Sequence, residues 1–94
     1  MTRQEAERVV AAALAEHGIR STVHCRERMI QRGIRPTAVR RVLRTGTFSD
    51  PRWDEAYGDW EVVCTGRTAE GERLRVRLVI AGTAVWLVTV YAVR

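Results

Sequence analysis

The sequence predicts an α+β domain in which three N-terminal helices pack on a small antiparallel sheet of three to four strands. Up to Gly46, apolar residues recur at helical spacing between capping residues and glycines. Beyond it the period falls to two, most clearly where Leu74, Val76, Leu78 and Ile80 alternate with Arg73, Arg75 and Arg77. Ninety-four residues allow one domain with a modest core. We therefore read 1–94 as a single unit, with 1–19 as an N-terminal helical extension and 20–92 as the α+β core.

Thr2 followed by Glu5 fits a capping box, and Ala6, Val9, Val10, Ala13 and Leu14 form the apolar stripe of the first helix before His17 and Gly18. The helix dipole favours an imidazolium at a C-terminal end, so His17 is expected to cap. Ser21 or Thr22 caps a second helix that ends at Gly33. Within it His24 and Arg28 stand at i and i+4 with Gln31 at i+7, while Cys25, Met29 and Ile30 turn to the core.

Pro36 suits the first turn of a third helix, where no amide hydrogen is needed. Ala38, Val39, Val42 and Leu43 form its buried side, opposite Arg40, Arg41 and Arg44, and Gly46 closes it. A short strand at 47–49 precedes an acidic loop at 50–61, whose Trp53, Tyr57 and Trp60 serve as lids on the core or as stacking platforms. Strands follow at 60–68 and 73–81, joined by a turn at 69–72, and Gly82-Thr83 turns the chain into a last strand at 84–93. Strict alternation puts Trp86, Val88, Val90 and Ala92 on one side of that strand and Val85, Leu87, Thr89, Tyr91 and Val93 on the other. A strand apolar on both sides belongs in the middle of a sheet; at an edge it would offer a homodimer interface.

All sixteen basic residues are Arg, and the net charge is +5. Residues 1–46 carry ten Arg and four Glu, whereas 47–94 carry six Arg and seven acids, so the positive charge is concentrated in the first half. Guanidinium groups are planar forks suited to phosphate and carboxylate. The expected partner is a polyanion, RNA foremost, with an antitoxin or other acidic protein second; a merely solvated basic face is the plainer reading.

Several function classes drop out. Charges at Arg3, Glu5, Glu7 and Arg8 replace the apolar run of a signal peptide, and no stretch approaches the ~20 apolar residues of a membrane span, so a cytoplasmic protein without membrane attachment is expected. Cys25 and Cys64 form no disulfide framework and, with His17 and His24, no zinc-ligand spacing, so no metal or other cofactor is assigned. There is no phosphate-binding glycine loop and no nucleophile elbow.

Metal-independent RNA cleavage needs a base near the ribose 2′-OH, cations round the phosphorus and an acid for the leaving oxygen. Imidazole changes charge near neutral pH, which makes His24 the candidate proton carrier. Arg28 and Tyr91 complete the catalytic candidates, Tyr91 as a donor from the last strand; Arg32, Arg73, Arg75, Arg77 and Thr89 are the candidate substrate-binding residues. The competing reading is a non-catalytic module whose Arg surface binds nucleic acid or an acidic protein.

His24-x-x-x-Arg28-Met29-x-x-Arg32-Gly33-Ile34, then Val42-Leu43-x-x-Gly46, Gly66-Arg67-Thr68, Leu74-x-Val76 and Val88-Thr89-Val90-Tyr91 resemble a small bacterial family catalogued as domain of unknown function 4258. The likeness covers roughly residues 20–92. That family is similar in layout to the RelE, ParE and BrnT toxins of toxin-antitoxin systems. The resemblance implies a RelE-like, ribonuclease-type α+β fold and raises His24 and Arg28 to candidate active-site residues of a toxin-like endoribonuclease.

Overall fold

The computed structural model describes residues 1–16 and 18–94; the capping role expected of His17 falls outside the described residues. Helix α1 (Arg3–Ala15) opens on the expected capping box: the Thr2 hydroxyl accepts from the Glu5 amide and the Glu5 carboxylate accepts from the Thr2 amide, both at 3.1 Å. Hydrogen bonding from the Thr2 backbone first, and from its side chain second, holds the Glu5 carboxyl below its usual range. Strand β1 (Ile19–Ser21) leads directly into helix α2 (Val23–Arg32), capped by Thr22 rather than Ser21 and closed by Gly33 at φ 68°. Helix α3 (Pro36–Thr45) starts on its proline and stops at Gly46.

Strands β2 (Thr47–Phe48), β3 (Arg52–Asp54), β4 (Asp59–Arg67), β5 (Arg73–Ala81) and β6 (Ala84–Ala92) complete a six-stranded sheet in the order β1-β6-β5-β4-β2, with β3 beside β4. The α+β class therefore holds, but the sheet is larger than the three to four strands expected and is not wholly antiparallel, since β1 runs parallel to β6. β1 and β3 are only three residues each, too short to impose a period of two on the sequence.

The three helices lie on one face of the sheet. The core joins Ala6 and Val10 of α1, Cys25 and Met29 of α2, and Val39, Val42 and Leu43 of α3 to Val62, Cys64, Leu74, Val76, Leu78, Ile80, Val85, Leu87 and Val90 of the sheet. Ala6 and Val10 are fully buried, so α1 contributes side chains to the same hydrophobic core. Ile30, expected inside, is 79% exposed; it lies on the crown of α2 away from Cys25 and Met29. Trp53 and Tyr57 are also half exposed, so they are not lids on the core, and Trp53 meets only the edge of Trp60, centroids 5.6 Å apart.

One irregularity governs the last strand. Pairing runs Arg77 with Thr89 but Leu78 with Leu87, so Val88 is an extra residue in β6. The strict alternation expected for residues 84–93 fails there: Val85, Leu87 and Val90 face the helices, while Trp86, Thr89 and Tyr91 share the outer face with Val79, Arg77 and Arg75, their partners on β5. β6 is not the sheet edge on which dimerisation through that strand was expected to depend, because β1 pairs with residues 85–87. Among the described residues, no helix is long and apolar enough to cross a membrane.

Candidate functional site

β1 and α2 follow one another along the same side of β6. The last strand-like bond is from the Thr22 amide to the Leu87 carbonyl, at 3.2 Å, and the Val88 bulge follows at once. Beyond it, α2 takes the place of a strand. Arg32 Nη1 donates to the Val90 carbonyl at 2.7 Å, filling a position that a neighbouring strand would otherwise occupy.

Between α2 and this part of β6 lies a hollow of about 170 Å³ lined by His24, Arg28 and Arg32 from one stripe of the helix, with Cys25 at its base and Val88, Thr89 and Val90 opposite. His24, Arg28 and Arg32 are spaced i, i+4 and i+8, which stacks them on one helical face. None of the lining residues among those described is acidic. Two guanidinium groups with no carboxylate among the lining residues make the hollow electropositive, with an imidazole beside them. Gln31, expected to extend the stripe, does not line it.

The remaining expected site residues stand on the open face. Arg75 Nη1 donates to the Tyr91 hydroxyl at 3.4 Å, and its guanidinium lies over the Tyr91 ring, 5.9 Å from the centroid. Arg77 is committed to Glu61, Nη2 to Oε2 at 2.7 Å, and that bond raises its already high pKa. Arg73 borders a shallow depression over β2, β4 and β5 with Thr47, Ser49, Thr65, Arg67 and Arg75. Thus His24, Arg28, Arg32 and Thr89 come together, whereas Tyr91, Arg73, Arg75 and Arg77 lie outside the hollow.

Residues 21–92 match the family described as Domain of unknown function (DUF4258). The chain belongs to the DUF4258 family. No curated protein matches it. The matched segment contains the whole hollow and the open sheet face, while α1 precedes it.

Two features of the DUF4258 region escaped sequence reasoning. The Val88 bulge leaves no mark in a run that is apolar on both sides, and the Val90 carbonyl is a backbone group that side-chain patterns do not report. The thiols, by contrast, are free, buried and unsuited to nucleophilic work. Burial pushes Cys25 up, with Arg32 opposing, and pushes Cys64 up to about 12, with Glu7 adding to the shift. Among the described residues, no three His, Cys, Asp or Glu side chains gather as a metal would require.

Proposed function

We propose that the protein is a toxin-like endoribonuclease that cleaves RNA without a metal, with the scissile phosphate held in the hollow between α2 and the β6 bulge. The observation carrying this reading is the convergence of His24, Arg28 and Arg32 with Thr89 round one cavity. In the reaction, His24 takes the proton of the ribose 2′-OH as that oxygen bonds to phosphorus. Arg28 and the part of Arg32 not engaged with Val90 balance the charge of the phosphorane, and Thr89 orients a phosphate oxygen. The bond from phosphorus to the 5′-oxygen then breaks, leaving a 2′,3′-cyclic phosphate and a 5′-hydroxyl whose proton comes from water at the open mouth. Tyr91, outside the hollow and held by Arg75, is reassigned from proton donor to strand binding.

A second reading, an RNA- or acidic-protein-binding module without catalysis, is favoured by one observation. Among the described residues, no hydrogen bond anchors the His24 ring, and catalytic imidazoles are usually oriented by a partner. Incubating mixed RNA in chelator with the wild type, His24→Ala and Arg28→Ala separates the two. Cleavage by the wild type that both variants lose, with RNA affinity retained within a few-fold, is the expected result. No cleavage by the wild type, or undiminished cleavage by His24→Ala, rejects the enzyme and leaves the binding module.

A further inference from the structure

We infer that the open sheet face holds an unpaired segment of RNA, with one base stacked on Trp86 and another on Tyr91, on either side of the hollow. This rests on the proposed reading of the hollow as the phosphate site.

The argument begins with the bulge. Trp86 and Tyr91 are separated by an odd number of positions and in a regular strand would face opposite ways; the extra residue at Val88 turns both to the outer face, with Thr89 between them. Each ring carries a guanidinium: Arg20 of β1 lies 5.7 Å from the Trp86 centroid and Arg75 of β5 lies 5.9 Å from that of Tyr91. Two aromatic–arginine pairs therefore stand on one strand, held from opposite sides by different neighbours. An aromatic ring or a guanidinium plane accepts any base by stacking, and the cation serves the adjoining phosphate.

Spacing selects the substrate. Allowing for the bulge, the two rings are separated by about 13 Å along the strand at ~3.3 Å per residue. Stacked bases of a duplex strand rise only ~3.4 Å per step along the helix axis, so bases on the two platforms are not stacking neighbours. A strand reaching both must be opened out, and a duplex cannot present its bases that way. The interval between them lies over Thr89, at the mouth of the hollow.

Charge sets the direction of the track. Past Tyr91 the outer face carries Arg75, Arg73 and Arg67, whereas Val79, the partner of Trp86, is flanked on β4 by Glu61, which Arg77 neutralises. Asp54 and Asp59 pair with one another beyond it and close that side to a polyanion. The strand therefore leaves over β5 and β4 at the arginine end.

The test uses a 2′-O-methylated oligonucleotide, which cannot be cleaved, so binding is read apart from catalysis. Fluorescence anisotropy should show the wild type binding the single strand at least ten-fold more tightly than a duplex of the same sequence. Trp86→Ala and Tyr91→Ala should each weaken single-strand binding about ten-fold or more, with Trp86→Phe and Tyr91→Phe close to the wild type. Melting of each variant is followed by circular dichroism, and affinities are compared below the lowest transition. Equal affinity for duplex and single strand, or unchanged affinity in both alanine variants, overturns the inference. Loss of cleavage in His24→Ala with unchanged binding in Trp86→Ala and Tyr91→Ala would remove the platforms and keep the enzyme; the opposite pattern would do the reverse.

Discussion

Arg32 holds the Val90 carbonyl at 2.7 Å, and through that bond a helix side chain completes the edge of the sheet just where the candidate site opens. Removing it should be felt in stability as well as in function. Arg32→Ala leaves a part-buried carbonyl without its charged donor and should cost about 1.5–3 kcal/mol in denaturant unfolding. Arg32→Lys should recover only part of this, since a point charge on a flexible stem does not reproduce the planar fork. A melt unchanged in Arg32→Ala would mean that the bond does not contribute to holding α2 against β6.

Gly46 and Gly66 mark the closest approach of α3 and β4. A Cβ on Gly46 would lie 2.6 Å from the Val42 carbonyl, 2.7 Å from that of Thr65 and 2.9 Å from Cys64 Sγ, whereas one on Gly66 meets the Gly46 Cα at 3.0 Å. Gly46→Ala should therefore lose about 3 kcal/mol or fail to fold, with a smaller loss for Gly66→Ala. Gly33 differs: its surroundings are open and only φ 68° resists a side chain, so Gly33→Ala should cost about 1–2 kcal/mol. Equilibrium unfolding of the three variants tests that order.

Cys64 makes stability fall in alkali. Burial holds its thiol protonated in the folded protein, with the pKa pushed up to about 12, while the unfolded chain releases the proton near the ordinary cysteine value of 9.0. A folded pKa above the unfolded one contributes fully below pH 9 and is lost between there and 12. Over that window the unfolded state binds one proton fewer, so unfolding free energy should drop by up to about 1.4 kcal/mol per pH unit. Cys25, raised in the same direction, adds to the slope. Urea unfolding of wild type and Cys64→Ala over this range should show a shallower decline in the variant.

Glu61→Gln should free the Arg77 guanidinium on the open face. The pair is partly solvated, with side chains 38% and 20% exposed, so the change in stability should stay within about 1 kcal/mol. On the proposed function, RNA affinity should rise and the dependence of log affinity on log salt should steepen by about one. Titrations at two or more salt concentrations read both quantities.

What could be read from the chain beforehand was whatever is determined locally. Thr2 with Glu5, Thr22, Gly33, Pro36 and Gly46 mark helix ends through their own backbone and side-chain chemistry, and the alternation of residues 73–81 fixes the faces of β5 without reference to any neighbour. The i, i+4 pair of His24 and Arg28 was visible for the same reason, although the stripe continues through Arg32 and not, as expected, through Gln31. β1 was not, because Ile19, Arg20 and Ser21 become a strand only through Val85, Trp86 and Leu87, more than sixty residues away. The facing of β6 also went astray beyond Leu87, since in a strand apolar on both sides nothing in the residue types reveals a slip of phase at Val88. That slip brings Trp86 to the same face as Thr89 and Tyr91, where regular alternation would have set them apart.

Similarity to the family begins at residue 21, yet β1 begins at Ile19 and the buried side of α1 lies earlier still. A fragment trimmed to the region of resemblance would bare the backbone of residues 85–87 and strip Ala6 and Val10 from beneath the sheet, inviting neighbouring molecules to pair along the exposed margin. The boundary of kinship therefore falls inside the hydrogen-bonded sheet and behind a helix that fills its core, not at a gap in the packing.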